Sequence, residues 1–255
     1  MAMSVFLTGS ADGIGRATAA ALVRAGHRVV LHARNAERAR QAEAAVPGAD
    51  GVLVGDLASL ASTRALGESA GAFDAVVHNA GISGGPHRQA TGDGIERLFH
   101  VNVVSPYLLT ALMPRPARLV YLSSGLQAAG EPVLDDLQYE VREWSAAQAY
   151  ADSTLYGVAL AFAVARRWRG TLVNAVDPGW VSTRMGGPGA PADAAEGADT
   201  PAWLAVSDDP AARVSGRFFA RRRPVAAHPA ASDTTVQDQL LAACAELTGV
   251  PLPVP

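Results

Sequence analysis

Lysine is absent from this chain, because all 21 basic residues among its 255 positions are arginine. The single cysteine, Cys244, has no partner for an internal disulfide bond, which favours a reducing setting. No uninterrupted apolar run reaches the roughly 18 residues of a membrane span, and the first residues lack the pattern of a secretion signal. We therefore expect a cytoplasmic protein without a membrane partner.

Concentrated charge is also missing, since the net charge is only -3 and no basic stripe occurs. Nucleic acids require clustered positive charge, so a nucleic-acid partner is not expected. The short run Arg221–Arg223 is predicted to be a solvated turn. The six histidines show no metal-ligand spacing, so no metal site is expected either. We expect a small-molecule substrate.

Short apolar segments rich in Val, Leu and Phe alternate with longer segments of helical spacing. The predicted strands cover residues 4–8, 28–33, 51–55, 73–79, 118–123, 171–176 and 216–220. The predicted helices cover residues 13–25, 35–45, 59–70, 92–113, 147–168, 199–206 and 234–247. Strands with little internal polarity are typical of a parallel sheet that is buried on both faces. The pattern predicts one α/β domain over 1–255, a Rossmann-type doubly wound sheet of about seven strands with helices on both faces.

Two irregular segments interrupt this alternation. One covers residues 125–146, and the other is the Gly-, Pro- and Ala-rich segment 185–201, which lies inside the possible lid 182–205. Loops of such sheets gather at the carboxyl ends of the strands, where ligands bind. The segment 182–205 is therefore either a lid over a substrate or a plain surface loop.

The segment "TGSADGIG", Thr8 to Gly15, lies between the first predicted strand and an Ala-rich helix. Glycines at such a turn bring the backbone close to a pyrophosphate, and the helix amino end offers free N–H groups. The alternative is a purely structural turn. Arg34 follows the second strand, and no Asp or Glu lies between Val29 and Asn35 to hold ribose hydroxyls. Arginine accommodates a 2'-phosphate at this place, so NADP(H) is favoured over NAD(H).

The segment "TGSADGIG" is the first of seven motifs whose order resembles the short-chain dehydrogenase/reductase family over nearly the whole chain. Other members of the series are "GDL", "NAG" and "DPGWVST". The resemblance implies cofactor contacts at Thr8, Gly9, Ser10, Asp12, Gly13, Ile14, Gly15, Asp56, Leu57, Asn79, Ala80, Gly81, Pro178, Gly179 and Thr183. The spacing of 26 residues between Ser124 and Tyr150 is similar to the retinol-dehydrogenase-like branch, which implies a fairly apolar alcohol or carbonyl substrate.

The resemblance also implies catalytic roles. Tyr150 matches the general acid or base, and Ser124 matches the serine that orients the substrate oxygen, with the neighbouring Ser123 as the alternative. Asn102 matches the asparagine that holds a water. The family has a lysine four residues after the tyrosine, and this chain has Thr154 there.

A cation beside a tyrosine lowers its pKa, and at about 4 Å the effect has a ceiling of roughly three pKa units. Without the lysine, the tyrosinate needed for alcohol oxidation is expected to be scarce at neutral pH. Carbonyl reduction requires a protonated tyrosine, which an unshifted phenol already provides. The sequence therefore predicts NADPH-dependent carbonyl reduction with atypical proton transfer, and alcohol oxidation only at alkaline pH.

Two other functions remain open. The same fold could use Tyr150 and Ser124 for non-redox chemistry such as dehydration, isomerisation or cyclisation, or the chain could be a non-catalytic nucleotide-binding protein. The resemblance further implies a homodimer or homotetramer formed through the helices near 92–113 and 147–168. The carboxyl-terminal "RRRPV...PLPVP" departs from many tetrameric members, which leaves a monomer or dimer as the alternative.

Overall fold

One sheet of eight strands forms the centre of the structure, a computed structural model that describes residues 1–254. The strands are β1 (Ser4–Leu7), β2 (Arg28–Ala33), β3 (Gly51–Val54), β4 (Ala75–His78), β5 (Arg118–Leu122), β6 (Leu172–Asp177), β7 (Arg217–Ala220) and β8 (Arg223–Val225). Their spatial order is β3-β2-β1-β4-β5-β6-β7-β8, and every neighbouring pair is parallel except β7 with β8. The order reverses direction between β1 and β4, so the predicted doubly wound sheet is confirmed.

Helices cover both faces of this sheet. They are α1 (Gly13–Arg24), α2 (Ala36–Ala45), α3 (Leu60–Ser69), α4 (Arg97–Phe99), α5 (Ser105–Leu112), α6 (Ala146–Arg167), α7 (Ala194–Val206), α8 (Pro229–Ser232) and α9 (Thr234–Thr248). Side chains of Asn35, Ser59, Ser145 and Asp193 accept bonds from first-turn N–H groups and so fix where α2, α3, α6 and α7 begin. None of the helices within residues 1–254 combines the length and apolar character that crossing a bilayer requires.

The apolar core has two layers, one on each face of the sheet. Buried side chains of α3, α5, α6 and α9 pack on one face, and those of α1, α2 and α7 pack on the other. Strand residues such as Phe6 and Val5 are fully buried but belong to opposite layers, because successive side chains of a strand alternate between faces. Burial of the strands on both faces accounts for their low internal polarity in the sequence.

The structure differs from the sequence prediction at several places. The helix predicted for 92–113 begins at Arg97 and passes through a π-helical stretch, His100–Val104, before α5. The short helix α8 and the strand β8 were not predicted. Arg221 and Arg222 form the turn between β7 and β8, with φ angles of 49° and 58°.

The predicted segment 182–205 divides into a loop and a helix. Residues 194–205 belong to α7, whose Gly197, Ala198 and Leu204 are buried against the rest of the molecule. A Cβ added at Gly197 would lie 2.7 Å from the side chain of Val181, so the helix packs closely against the residues that follow β6. The loop proper covers residues 182–193.

Candidate active site

A cavity of about 560 Å³ opens at the carboxyl ends of the parallel strands. The predicted site residues that line it are Gly9, Asp12, Gly13, Ile14, Gly15, Arg34, Asp56, Leu57, Asn79, Ala80, Gly81, Asn102, Tyr150, Thr154, Pro178 and Thr183. Residues from distant parts of the chain meet here because the strands are parallel and their ends share one edge. Four predicted residues, Thr8, Ser10, Ser124 and Gly179, do not line the cavity.

The turn between β1 and α1 is closely packed. Gly9 and Gly13 have φ angles of 67° and 54°, a region that favours glycine. A Cβ added at Gly15 would lie 2.3 Å from the carbonyl oxygen of Gly9, which leaves no room for a side chain. The hydroxyl of Thr8 accepts bonds from the backbone N–H groups of Asn79 and Ala80, both at 3.0 Å. Thr8 therefore ties this turn to the end of β4 from below the cavity surface.

His32 was missed by the sequence analysis, yet it holds the same turn from the side of β2. Its Nδ1 accepts a hydrogen bond from Gly9 N at 3.0 Å, so Nε2 carries the proton and donates to Gly55 O at 2.8 Å. The hydroxyl of Ser10 accepts a bond from His32 N at 2.8 Å. Burial lowers the pKa of His32, which favours this neutral form. Sequence offered no signal for it, since only the fold brings β2 beside the glycine turn.

Two arginines at the end of β2 differ in what they contact. Arg34 is exposed at the cavity rim, and within residues 1–254 its guanidinium makes no ion pair or hydrogen bond. Arg38, which the sequence analysis missed, lies in the first turn of α2 and pairs with Asp12 at 2.6 Å. Arg184 of the 182–193 loop also approaches Asp12, at 3.6 Å. One end of the cavity is therefore rich in positive charge.

The opposite end contains Tyr150, on the second turn of α6. Its hydroxyl donates to Met185 Sδ at 3.7 Å. Burial raises the pKa of Tyr150, while interaction with the Ser124 hydroxyl lowers it in part. Ser124 thus faces the phenol although it does not line the cavity. The neighbouring Ser123 lines the cavity but donates its hydroxyl to Thr154 O at 2.9 Å.

Similarity to known proteins agrees with this geometry. A sequence model of the short chain dehydrogenase family matches residues 3–135. The uncharacterized oxidoreductase AN7799 of Emericella nidulans is 45% identical over 261 aligned residues, which cover 98% of each chain. The chain belongs to the short-chain dehydrogenase family.

Two further similarities extend beyond the part matched by the short-chain dehydrogenase model. Retinol dehydrogenase 13 of Homo sapiens is 32% identical, over 98% of this chain and 86% of that protein. The crystal structure of an uncharacterized protein from Mycobacterium paratuberculosis has a TM-score of 0.87 at 28% identity, covering 99% and 95% of the two chains. The predicted resemblance is therefore confirmed, and the chain is an oxidoreductase of this family.

Asn102 of this short-chain dehydrogenase lies in the π-helical stretch. Its Oδ1 accepts from Ile82 N at 2.9 Å, and its Nδ2 donates to Ile82 O and to Ser153 Oγ, both at 3.0 Å. The side chain thus joins the loop after β4 to α6, three residues beyond Tyr150. Both polar atoms of the Asn102 side chain are therefore occupied in holding the loop after β4 against α6.

Thr154 stands four residues after Tyr150 on α6, where the resemblance places a lysine. Its hydroxyl donates to Ala151 O at 2.8 Å, inside its own helix, and its side chain is almost fully buried. The hydroxyl is therefore engaged, and it brings no positive charge to Tyr150.

Residues 125–146, which the sequence left as an irregular segment, are held to α6 by a buried carboxylate. Asp152 accepts hydrogen bonds from Glu131 N at 2.7 Å, Tyr139 Oη at 2.6 Å and Arg142 Nη1 at 3.0 Å. Arg142 also pairs with the buried Asp136 at 3.3 Å. These bonds hold the segment against α6, the helix that carries Tyr150.

Proposed function

We propose that this short-chain dehydrogenase reduces a carbonyl group of a small, fairly apolar substrate with NADPH, using Tyr150 as the proton donor. The observation that carries the proposal is the environment of Tyr150, which is half-buried, lines the cavity and pairs with no cation. Such a phenol stays protonated at neutral pH, the form that a reductase needs.

The cavity has the features that a nicotinamide dinucleotide requires. Gly15 allows the backbone to approach a pyrophosphate, and the amino end of α1 offers free N–H groups. The unpaired guanidinium of Arg34 is available for a 2'-phosphate, which supports NADP(H) over NAD(H). The bound cofactor would supply hydride to the carbonyl carbon.

The protein's own part in the reaction is proton transfer and positioning. The Ser124 hydroxyl donates a hydrogen bond to the carbonyl oxygen, and Tyr150 gives its proton to the same oxygen as the alkoxide develops. The resulting tyrosinate is reprotonated from solvent. No lysine stabilises this tyrosinate, so we expect alcohol oxidation, the reverse reaction, to become appreciable only at alkaline pH.

Exposed apolar side chains after β5 and β6 support a fairly apolar substrate. Met185 touches the phenol, and Leu126 lies two residues after Ser124 with 54% of its surface exposed. Trp180 is 62% exposed, and its indole N–H donates to Gly186 O of the 182–193 loop. Apolar surface exposed at the mouth of a site commonly marks a binding region. Met185 would have to move aside for a substrate oxygen to reach Tyr150.

The test is NADPH consumption over a panel of apolar ketones, aldehydes and quinones. We expect the native protein to turn over, and Tyr150→Phe to lose at least about 100-fold of that activity while it still binds NADPH. Thr154→Lys, run alongside, should make alcohol oxidation measurable closer to neutral pH.

Absence of NADPH consumption by the native protein, with cofactor binding intact, would contradict the proposal. If only Thr154→Lys turned over, the native site would lack competent proton transfer. Formation of product without NADPH consumption would instead favour non-redox chemistry by Tyr150 and Ser124.

A further inference from the structure

The helix α6 is buried on every side within this single chain. Its residues 151–161 form an unbroken buried run, which extends over about three helical turns. A helix on one face of an open sheet ordinarily keeps a polar stripe in solvent, so full burial requires a second covering layer. The neighbouring helix α5 is buried over residues 105–111. Both helices therefore lie beneath another part of the molecule.

That covering layer is the carboxyl-terminal segment, residues 229–254, which we call the C-terminal cover. Its helices α8 and α9 both contact α6, and α9 also contacts α5. The buried residues of α9 recur at helical spacing along one face, and they are Gln237, Leu240, Leu241, Cys244 and Thr248. Leu240, Leu241 and Cys244 belong to the same apolar cluster as the buried residues of α5 and α6. The apolar face of α9 is therefore directed toward these two helices.

Hydrogen bonds fix the end of the C-terminal cover. Tyr107 Oη of α5 donates to Val250 O at 2.8 Å. Trp168 Nε1, directly after α6, donates to Pro253 O at 2.8 Å. The side chains of Tyr107 and Trp168 are buried, and buried polar groups require partners. Backbone oxygens of the cover supply those partners, while Leu252 between them is buried in the apolar cluster.

The outer surface of the C-terminal cover is polar. The exposed residues in the middle of α9 include Asp238, Gln239 and Glu246. Within residues 1–254, no large apolar side chain is exposed on α5, α6 or α9. Subunit interfaces are built around a buried apolar core. This side of the molecule therefore presents no such core to a second copy.

We propose that the C-terminal cover takes the place of a partner subunit on α5 and α6, and that the protein is a monomer in solution. The sequence resemblance implied a homodimer or homotetramer through the helices near 92–113 and 147–168, and the cover occupies that surface. A second copy could bind there only after the cover had detached and exposed its own apolar face. The inference goes beyond the proposed function and is independent of the reaction.

The first test is the mass of the native full-length protein, measured by light scattering after size-exclusion chromatography over a wide range of concentrations. We expect the mass of one chain, 26.3 kDa, at every concentration. A stable mass of two or four chains, or a mass that rises with concentration, would overturn the inference.

Leu241→Asp tests the role of the cover itself. Leu241 is buried, and a carboxylate at this position opposes the packing of α9. The only cysteine, Cys244, is fully buried on the same face of α9 and reports detachment through its reaction with a thiol reagent. We expect labelling of Cys244 to accelerate at least about 10-fold, because local opening exposes the thiol. The measured mass should rise with concentration as the uncovered apolar surfaces associate.

Gln239→Asp is the matched control, because Gln239 is exposed on the same helix and the substitution introduces the same charge. It should change neither the labelling rate nor the mass. Faster labelling of Leu241→Asp without any increase in mass would contradict the claim that the cover replaces a partner subunit. If Leu241→Asp loses its circular dichroism spectrum, Leu241→Ala takes its place and should give smaller changes in the same direction. Unchanged labelling in a folded Leu241 variant would equally count against the inference.

Discussion

Arg34 and Arg38 are four residues apart in sequence, but only Arg38 has a protein partner. Arg38 pairs with Asp12, and it also donates to Gln41 Oε1. The guanidinium of Arg34 remains without a polar contact in residues 1–254 and lies at the cavity rim. Arg34 can therefore be replaced with little damage to the fold, which makes it the residue on which to test the proposed preference for NADP(H).

We expect Arg34→Ala to weaken NADPH binding by about 10- to 100-fold and to leave NADH binding nearly unchanged. The loss corresponds to the charge-assisted hydrogen bonds that a guanidinium makes with a 2'-phosphate. Titration of intrinsic fluorescence with each cofactor measures both affinities. Arg40→Ala is the control, because Arg40 is exposed on α2 and does not line the cavity. Equal losses for NADPH and NADH would contradict the assignment.

Single residues were predictable where they belong to a linear motif. Tyr150, Thr154 and the turn glycines Gly9, Gly13 and Gly15 were named from the family resemblance of their motifs, and all of them line the cavity. His32 was not predicted, because it acts on Gly9, which is distant in sequence and near only across neighbouring strands. Thr8 and Ser10 stay predicted as cofactor contacts, and the structure adds that their hydroxyls form bonds that hold the turn.

The segment between β5 and α6 is held in place by ion pairs rather than by regular secondary structure. Asp136 and Asp152 are 8% and 1% exposed, and Arg142 pairs with both. Arg142 also lies over the ring of Tyr139, whose φ angle is 55°. Removing Arg142 would leave two buried carboxylates without their counter-charge.

We expect Arg142→Leu to lower the free energy of unfolding by about 2 to 4 kcal/mol, because an unpaired buried charge is costly. Chemical denaturation measures the change. Arg167→Leu is the matched control, since Arg167 pairs with Asp238 at 2.9 Å on the exposed surface and should cost at most about 1 kcal/mol. Equal losses for the two variants would show that the buried carboxylates do not depend on Arg142.

Regular elements were predicted best where the chain has a strong hydrophobic period. The seven predicted strands and the long helix α6 are present, with ends displaced by a few residues. α7 begins before its predicted start because Gly197 and Pro201 disfavour helix by propensity, whereas close packing and the Asp193 cap stabilise it. The π-helical stretch His100–Val104 has no signal of its own, since its hydrogen bonding differs from an α-helix only in register.

Buried histidines make the stability of the folded protein depend on pH. Burial lowers the pKa values of His32, His78 and His100, and that of His78 falls to about 3. Below their ordinary pKa of about 6.5, the unfolded chain binds protons that the folded protein does not bind. The folded state therefore loses stability as the pH falls from about 6.5 toward the lowered values.

We expect His78→Asn to flatten this dependence by up to about 1.4 kcal/mol per pH unit between about pH 6 and pH 4. Denaturation curves collected at several pH values give the slope of the unfolding free energy against pH for each variant. A packing defect lowers this free energy at every pH alike, so it does not change the slope. His87→Asn is the control, because His87 is exposed. An unchanged slope in His78→Asn would mean that this residue is already protonated in the folded state.

The antiparallel hairpin of β7 and β8 also restricts how copies of the protein could associate. β8 is the terminal strand of the sheet, and its three residues, Arg223, Pro224 and Val225, are all exposed. Proline has no N–H to donate, and a short edge strand with arginine and proline resists pairing with a further strand. A continuous intermolecular sheet is therefore disfavoured at this edge, which leaves the opposite edge strand β3 and the helical surfaces as the places where copies could meet.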